Sequence, residues 1–217
     1  MDPQPQPDDP EALAEALDEE EPLGPGFDGP PPSIDELAAN EDAHGLMVLG
    51  AAYRAGTPYV ERDSFEALQC FEAASRLGDP EAGYLVGAAY FDGEGIGRDP
   101  AEGAKRLRAA AQRGSLRAKV YVANLYEMGV HYAHDPEKAD VWYRNVARAA
   151  GIDADPESDE YELAMAELGC VRHCLTLVAD EALPKKDRAV YLKKAKAMGY
   201  RHRLEAAKGA SAPASGE

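Results

Sequence analysis

The feature that most limits what this chain can become is a repeat of about 36 residues. Ala82, Gly87, Tyr90, Gly93, Asp99, Pro100, Leu107 and Gly114 return 36 positions later as Ala118, Ala123, Tyr126, Gly129, Asp135, Pro136, Tyr143 and Ala150. Upstream, Gly45, Gly50, Tyr53 and Gly56 stand 37 residues before Ala82, Gly87, Tyr90 and Gly93, while Asp63, Phe71 and Gly78 stand 36 before Asp99, Leu107 and Gly114. A period in this range marks a stacked array, because one such unit cannot bury its apolar face alone.

Each unit reads as a helical hairpin. Ala82, Gly87 and Tyr90 share one helical face, and the small residues on it let a neighbouring backbone approach. Gly93, Gly95 and Gly97 end the first helix, since glycine is a poor helix former. Asp99 then caps a second helix with Pro100 at its first position, where a missing N–H costs nothing. Asp135 and Pro136 repeat that arrangement.

Small-x-x-x-x-Gly-x-x-Tyr-x-x-Gly-x-Gly-Ile/Val, then Asp-Pro-x-x-Ala and an aromatic-rich helix ending in Ala-x-x-Gly, resembles the Sel-1-like repeat over roughly residues 43 to 200. The resemblance implies an all-α, right-handed solenoid of about four hairpins, similar to the tetratricopeptide superhelix, that binds a protein or peptide non-catalytically in its concave groove. In tetratricopeptide relatives the first helix of each hairpin lines that groove. Its ligand-facing offsets fall here on Arg54, on Tyr84, Phe91 and Asp92, on Arg117, Asn124 and Glu127, and on His173 in the last unit. His131 and Tyr132 replace a turn glycine and its apolar neighbour, and Pro58 and Tyr59 interrupt the first unit, so both turns are expected to be shaped differently.

The units are expected at about 42–78, 79–114, 115–151 and, in divergent form, 156–199, within an array of 42–208. In the last unit Ala164, Gly169 and Arg172 keep the spacing of Ala82, Gly87 and Tyr90, which predicts one long helix running to about Glu181. A second helix from Lys185 to Met198 should then turn Ala189, Leu192 and Ala195 inward, and a short helix should close the array at Arg201 to Lys208. Ser33 and Glu36 form a capping box that predicts a short terminal helix over 33–41, and 209–217 reads as a flexible tail.

Charge is unevenly spread. Residues 1 to 42 carry 14 acidic and no basic side chains, which supplies most of the formal −17 of the 217-residue chain. Residues 1–32 are rich in proline and acid, too poor in apolar groups to offset the entropy of ordering, and are expected to be a disordered arm. Within the arm Leu13 and Leu17 stand one helical turn apart, which reads as a solvated acidic linker with transient helix or, alternatively, as a motif that folds on a partner. Such an arm could lie across the groove of its own chain or contact a basic partner. The balance argues against nucleic acid. No signal peptide or membrane-spanning run is evident, so a cytoplasmic protein is expected.

Two motifs bear on chemistry. Gly93-Glu-Gly-Ile-Gly97 superficially suggests a phosphate loop, but no strand precedes it and its glycines recur with the repeat. Cys170, His173 and Cys174 stand at i, i+3 and i+4, so on one helix they would share a face and could converge on zinc or act as a thiol–imidazole pair. A fourth ligand is not evident nearby, and cysteines of this kind more often pack as small hydrophobes. No cofactor motif emerges.

Overall fold

The structure, a computed structural model, describes residues 31–180 and 182–197. The acidic arm up to residue 30, the expected closing helix and the tail lie outside the described residues. Within them the chain forms α1 (Ile34–Ala39), α2 (Ala43–Ala55), α3 (Ser64–Arg76), α4 (Pro80–Asp92), α5 (Pro100–Arg113), α6 (Leu116–Met128), α7 (Pro136–Ala150), α8 (Asp159–Glu167), α9 (Val171–Ala179) and α10 (Lys185–Ala195). Apart from one isolated bridge between Thr57 and Val60, regular structure among the described residues is helical.

Helices begin where a short acceptor side chain satisfies the orphan N–H groups of the first turn. Asp42, Asp63, Asp79, Asp99, Ser115, Asp135 and Ser158 each accept from a backbone N–H of the helix they precede. Three of these aspartates do a second job. The backbone N–H of Asp63, Asp99 and Asp135 donates to the carbonyl of Tyr53, Tyr90 and Tyr126 at 2.8, 2.8 and 3.1 Å, tying the start of the second helix to the end of the first.

The hairpins are drawn together by a small residue facing a large one. A Cβ placed on Gly50 would lie 2.5 Å from the ring of Phe71, and one on Gly87 would lie 2.8 Å from Leu107 Cγ. One unit later Ala123 and Tyr143 share the same buried cluster. The fit is closest at Gly103, where a Cβ would meet the backbone N of Phe91 at 2.7 Å and the carbonyl oxygen of Gly87 at 2.8 Å. Successive hairpins then stack, α3 on α4 and α5 on α6, while α1 covers α2 and α3 at the amino-terminal end. The resulting core runs from Leu37, Leu46 and Leu49 through Leu68 and Phe71 to Leu107, Val122 and Leu125, then to Tyr143, Val146 and Met165.

Three expectations change. The turn containing His131 is not reshaped, because His131 takes a φ of 65° where Gly95, one period earlier, has 73°; histidine enters the left-handed region more readily than most non-glycine residues. Tyr132 there stacks on Tyr126 with ring centroids 4.6 Å apart. The first turn does differ, since Gly56 has ψ 138° against 30° at Gly93. The long helix expected up to Glu181 is two short helices, α8 and α9, broken at Gly169, whose φ is 80°. On α10 the inward residues are Tyr191 and Ala195, with Leu192 half-buried and Ala189 exposed.

Replacing Gly103 by alanine is expected to force α4 and α5 apart and cost about 1–3 kcal/mol, as overpacking does. Asp99→Ala, which removes only a cap, should cost about 1 kcal/mol. Denaturant melts of the two variants check the order.

Candidate functional site

The first helices of successive hairpins leave a cleft between them. It encloses about 190 Å³ and is lined by Arg54 from α2, by Tyr84, Leu85 and Asp92 from α4, by Glu94 from the following turn and by Arg117 from α6, over a wall contributed by α3. On α4 the lining positions 84, 85, 88, 89 and 92 form one helical stripe, opposite the stripe of Gly83, Val86 and Gly87 that packs inward. Ala88 and Ala89 keep the floor low.

The aromatic content of the cleft is ordered by ring contacts. The Arg117 guanidinium lies 4.6 Å from the centroid of the Tyr84 ring, a cation–π arrangement. Tyr84 meets Tyr121 edge to face at 6.2 Å, and Tyr121 meets Phe91 in the same way at 5.6 Å. Burial, reinforced by the nearby Asp92 carboxylate, raises the pKa of the Tyr121 phenol, so it is a neutral hydroxyl at neutral pH. Asp92 keeps a solvent-accessible edge, yet partial desolvation raises its pKa, with Arg98 pulling the other way.

Of the residues expected to face a ligand, Arg54, Tyr84, Asp92 and Arg117 come together here. The others are placed differently. Phe91 is buried against α5 and α6 and supports Tyr121 from behind. Asn124 is buried and fully engaged: its Nδ2 donates to the Gly169 carbonyl at 2.9 Å, while its Oδ1 accepts from the Tyr143 hydroxyl at 3.1 Å and the Val171 N–H at 2.9 Å. Glu127 receives Arg172 at 2.6 Å, and Arg172 also reaches Asp140 and the Pro136 carbonyl. His173 is buried, its Nδ1 2.8 Å from Glu162 Oε2 and its ring edge-on to Tyr143 and Tyr161. These groups fasten α9 to α6, α7 and α8 and do not line an open groove. The break at Gly169 shifts the register on which the His173 offset was counted, whereas Asn124 and Glu127 keep their register on α6 but are covered by the chain from Gly169 to Arg172.

Cys170, His173 and Cys174 do not converge. Cys170 precedes α9 and joins the core around Tyr143 and Met165, whereas Cys174 joins Ala166, Leu177 and Tyr191 and donates to the Ala166 carbonyl. Among the described residues no group of three histidine, cysteine or acidic side chains is placed to hold a metal ion. Burial raises all three thiols, Cys170 among them, that of Cys174 to about 11 and that of Cys70 to about 12, the direction opposite to an activated nucleophile.

Sequence reasoning missed Tyr121 and Leu85. They occupy equivalent positions, two before Ala123 and Gly87, and an apolar residue there reads as ordinary core.

No family model matches the chain. The crystal structure of a protective antigen present in uropathogenic Escherichia coli strains, displaying an SLR fold, superposes with a TM-score of 0.52 at 20% identity, over 76% of this chain and 40% of that one. The chain has the Sel-1-like repeat fold. A Sel1 repeat protein from Oxalobacter formigenes aligns at 23% identity over 61% of this chain and 93% of its own, with a TM-score of 0.48. An uncharacterized protein of Neisseria meningitidis serogroup B is 32% identical over 117 residues, 54% of this chain; the chain spans only 23% of that relative's length. In this Sel-1-like array the small residues of the repeat lie in the hairpin interior with its tyrosines half-buried beside them, and the cleft is made by the positions between.

Asn124→Ala would strand the Tyr143 hydroxyl, the Val171 N–H and the Gly169 carbonyl, so the folded state should lose about 3 kcal/mol in chemical denaturation. With Ellman's reagent near pH 8 the three cysteines should be unreactive in the folded chain and fully reactive in denaturant.

Proposed function

We propose that this chain is a non-catalytic protein-interaction module that holds an extended segment of a partner protein in the cleft between α2, α4 and α6. One observation carries the reading: the Arg117 guanidinium lies over the Tyr84 ring, and Arg54, Asp92 and Glu94 line the same small cleft. A guanidinium held on an aromatic ring is a rigid platform for a carboxylate or a peptide carbonyl, and arginine and tyrosine dominate the energetics of protein interfaces. The two carboxylates at the other side fit a basic side chain, and Leu85 with the Tyr84 ring fits an apolar one.

The size of this cleft favours part of a larger partner over a cofactor or small metabolite. Pockets for such ligands typically run from about 300 to 1,000 Å³. At about 190 Å³ this cleft takes one or two side chains of a longer ligand that continues over the surface. The repeat fold suits that use, since solenoids present extended inner surfaces. Holding one partner this way would let the module assemble or regulate a complex. No helix among the described residues is long and apolar enough to cross a membrane.

Affinity capture with the intact chain and with Tyr84→Ala plus Arg117→Ala tests the reading. A partner held through the cleft should bind the double variant at least about tenfold more weakly, the effect of losing hot-spot side chains, with helicity by circular dichroism retained. Undiminished binding by the variant of every partner the intact chain retains would overturn the assignment.

A further inference from the structure

The second helices of the hairpins carry a surface of their own. Between α3 and α5 runs an open groove of about 410 Å³ lined by Glu72, Arg76, Arg106 and Arg113. Between α5 and α7 runs another of about 310 Å³ lined by Gln112, Trp142 and Arg148, with Lys119 reaching it from α6. The two are one feature repeated: Arg76, Gln112 and Arg148 hold equivalent positions 36 residues from one another. Neither groove shares a lining residue with the cleft.

Their charge is opposite to that of the chain as a whole. In a protein of formal charge −17 the two grooves are lined by five cations and one carboxylate. That carboxylate, Glu72, is met by Arg106 at 3.4 Å, and Arg106 is fixed in turn by Glu102 at 2.9 Å and over the Tyr90 ring. Arg76, Arg113, Lys119 and Arg148 have no carboxylate partner among the described residues. Arg113 is held across the first groove, donating to the Ser75 carbonyl at 3.3 Å, and Arg148 donates to Asn145 at 3.0 Å. Arginine in the last turn of a helix offsets the helix dipole, but Lys119 stands in the first turn of α6, where the dipole opposes a cation.

We infer that the two grooves seat an extended, acidic segment of a partner protein, its carboxylates on Arg76, Arg113, Lys119 and Arg148 and an apolar side chain against the half-buried Trp142. Complementary charge fixes the sign of the occupant, and Gln112, both donor and acceptor, suits its backbone. A small ligand fits less well, because pockets for such ligands enclose most of their surface and these grooves lie open. A lipid surface is too flat to enter recesses between helices. Nucleic acid, with its dense phosphate charge, is opposed by the net charge of the chain more strongly than a short acidic segment. The seat is independent of what the cleft holds.

Trp142 is the sole tryptophan of the chain, so its emission reports on the second groove. The probe is a tryptophan-free peptide repeating Glu-Glu-Leu, long enough to span both grooves, titrated into the full chain and followed by Trp142 emission and, when dye-labelled, by anisotropy. It should bind saturably at salt of about 20 mM, with the same midpoint in both signals, and weaken at about 500 mM, where the screening length falls from about 20 to about 4 Å. Arg113→Gln with Lys119→Gln and Arg148→Gln should weaken binding at least about tenfold with helicity retained, since three exposed charge pairs are lost together. Lys138→Gln with Lys185→Gln and Lys186→Gln, three exposed cations outside the grooves, should leave the affinity unchanged. Constant Trp142 emission, an equal loss in this control variant, equal binding of a Gln-Gln-Leu peptide, or tighter capture of phosphatidylserine vesicles or duplex DNA by the same cations would each overturn the inference.

Discussion

The structure depends on one contact made repeatedly: a residue without bulk on the first helix of a hairpin receives a large side chain from the second. Gly50 takes Phe71, Gly87 takes Leu107, and Ala123 shares its cluster with Tyr143. Helix axes approach only as near as the side chains between them allow. Keeping one side of the pair minimal lets the other fill the gap, and the backbone at Gly103 comes close enough to touch that of Phe91. Because the contact uses a single stripe of α4, the stripe on the other side remains for the solvent-facing wall. The cleft is thus a geometric consequence of how the hairpin closes.

Polar groups take over where this scheme ends. Beyond Tyr143 the next small residue in register, Gly169, lies between two helices and not inside one. The chain instead turns at Gly169, and α9 is held against α6 by the amide of Asn124 and by the Arg172 ion pairs. A buried amide with every donor and acceptor matched is costly to disturb, because each group it satisfies lacks an alternative partner. The divergent last hairpin is fastened by direction-specific bonds where its predecessors are fastened by shape. That difference also disposes of the three-residue metal arrangement, since the break puts Cys170 and Cys174 in separate cores.

The repeat, its caps and its turns were legible in the sequence because each rests on residue types with local rules: aspartate before a helix, glycine after one, small against large at fixed spacing. The break at Gly169 was not. Its signal, a lone glycine after Leu168, is the same residue that at position 87 sits comfortably inside a helix. Position in the period misled. The turn at His131 erred the other way, for a histidine can hold the φ that the repeat normally assigns to glycine. In the candidate site, Arg54, Tyr84, Asp92 and Arg117 were found by offset because α2, α4 and α6 keep a common register, whereas Tyr121 was hidden by looking like core.

The failure of Asn124, Glu127 and His173 as ligand-facing residues divides the array. Up to α6 the inner stripe is lined by charged and aromatic groups with open space between them. From Asn124 onward the equivalent positions are engaged with the next helix, so no cleft can form there without breaking the bonds that hold α9. A segment following the inner surface would meet an open face from α2 to the start of α6 and a closed one from Asn124 onward. The open stretch belongs to the hairpins packed by shape, and the closed one to the region where Asn124, Glu127 and Glu162 hold α9 in place.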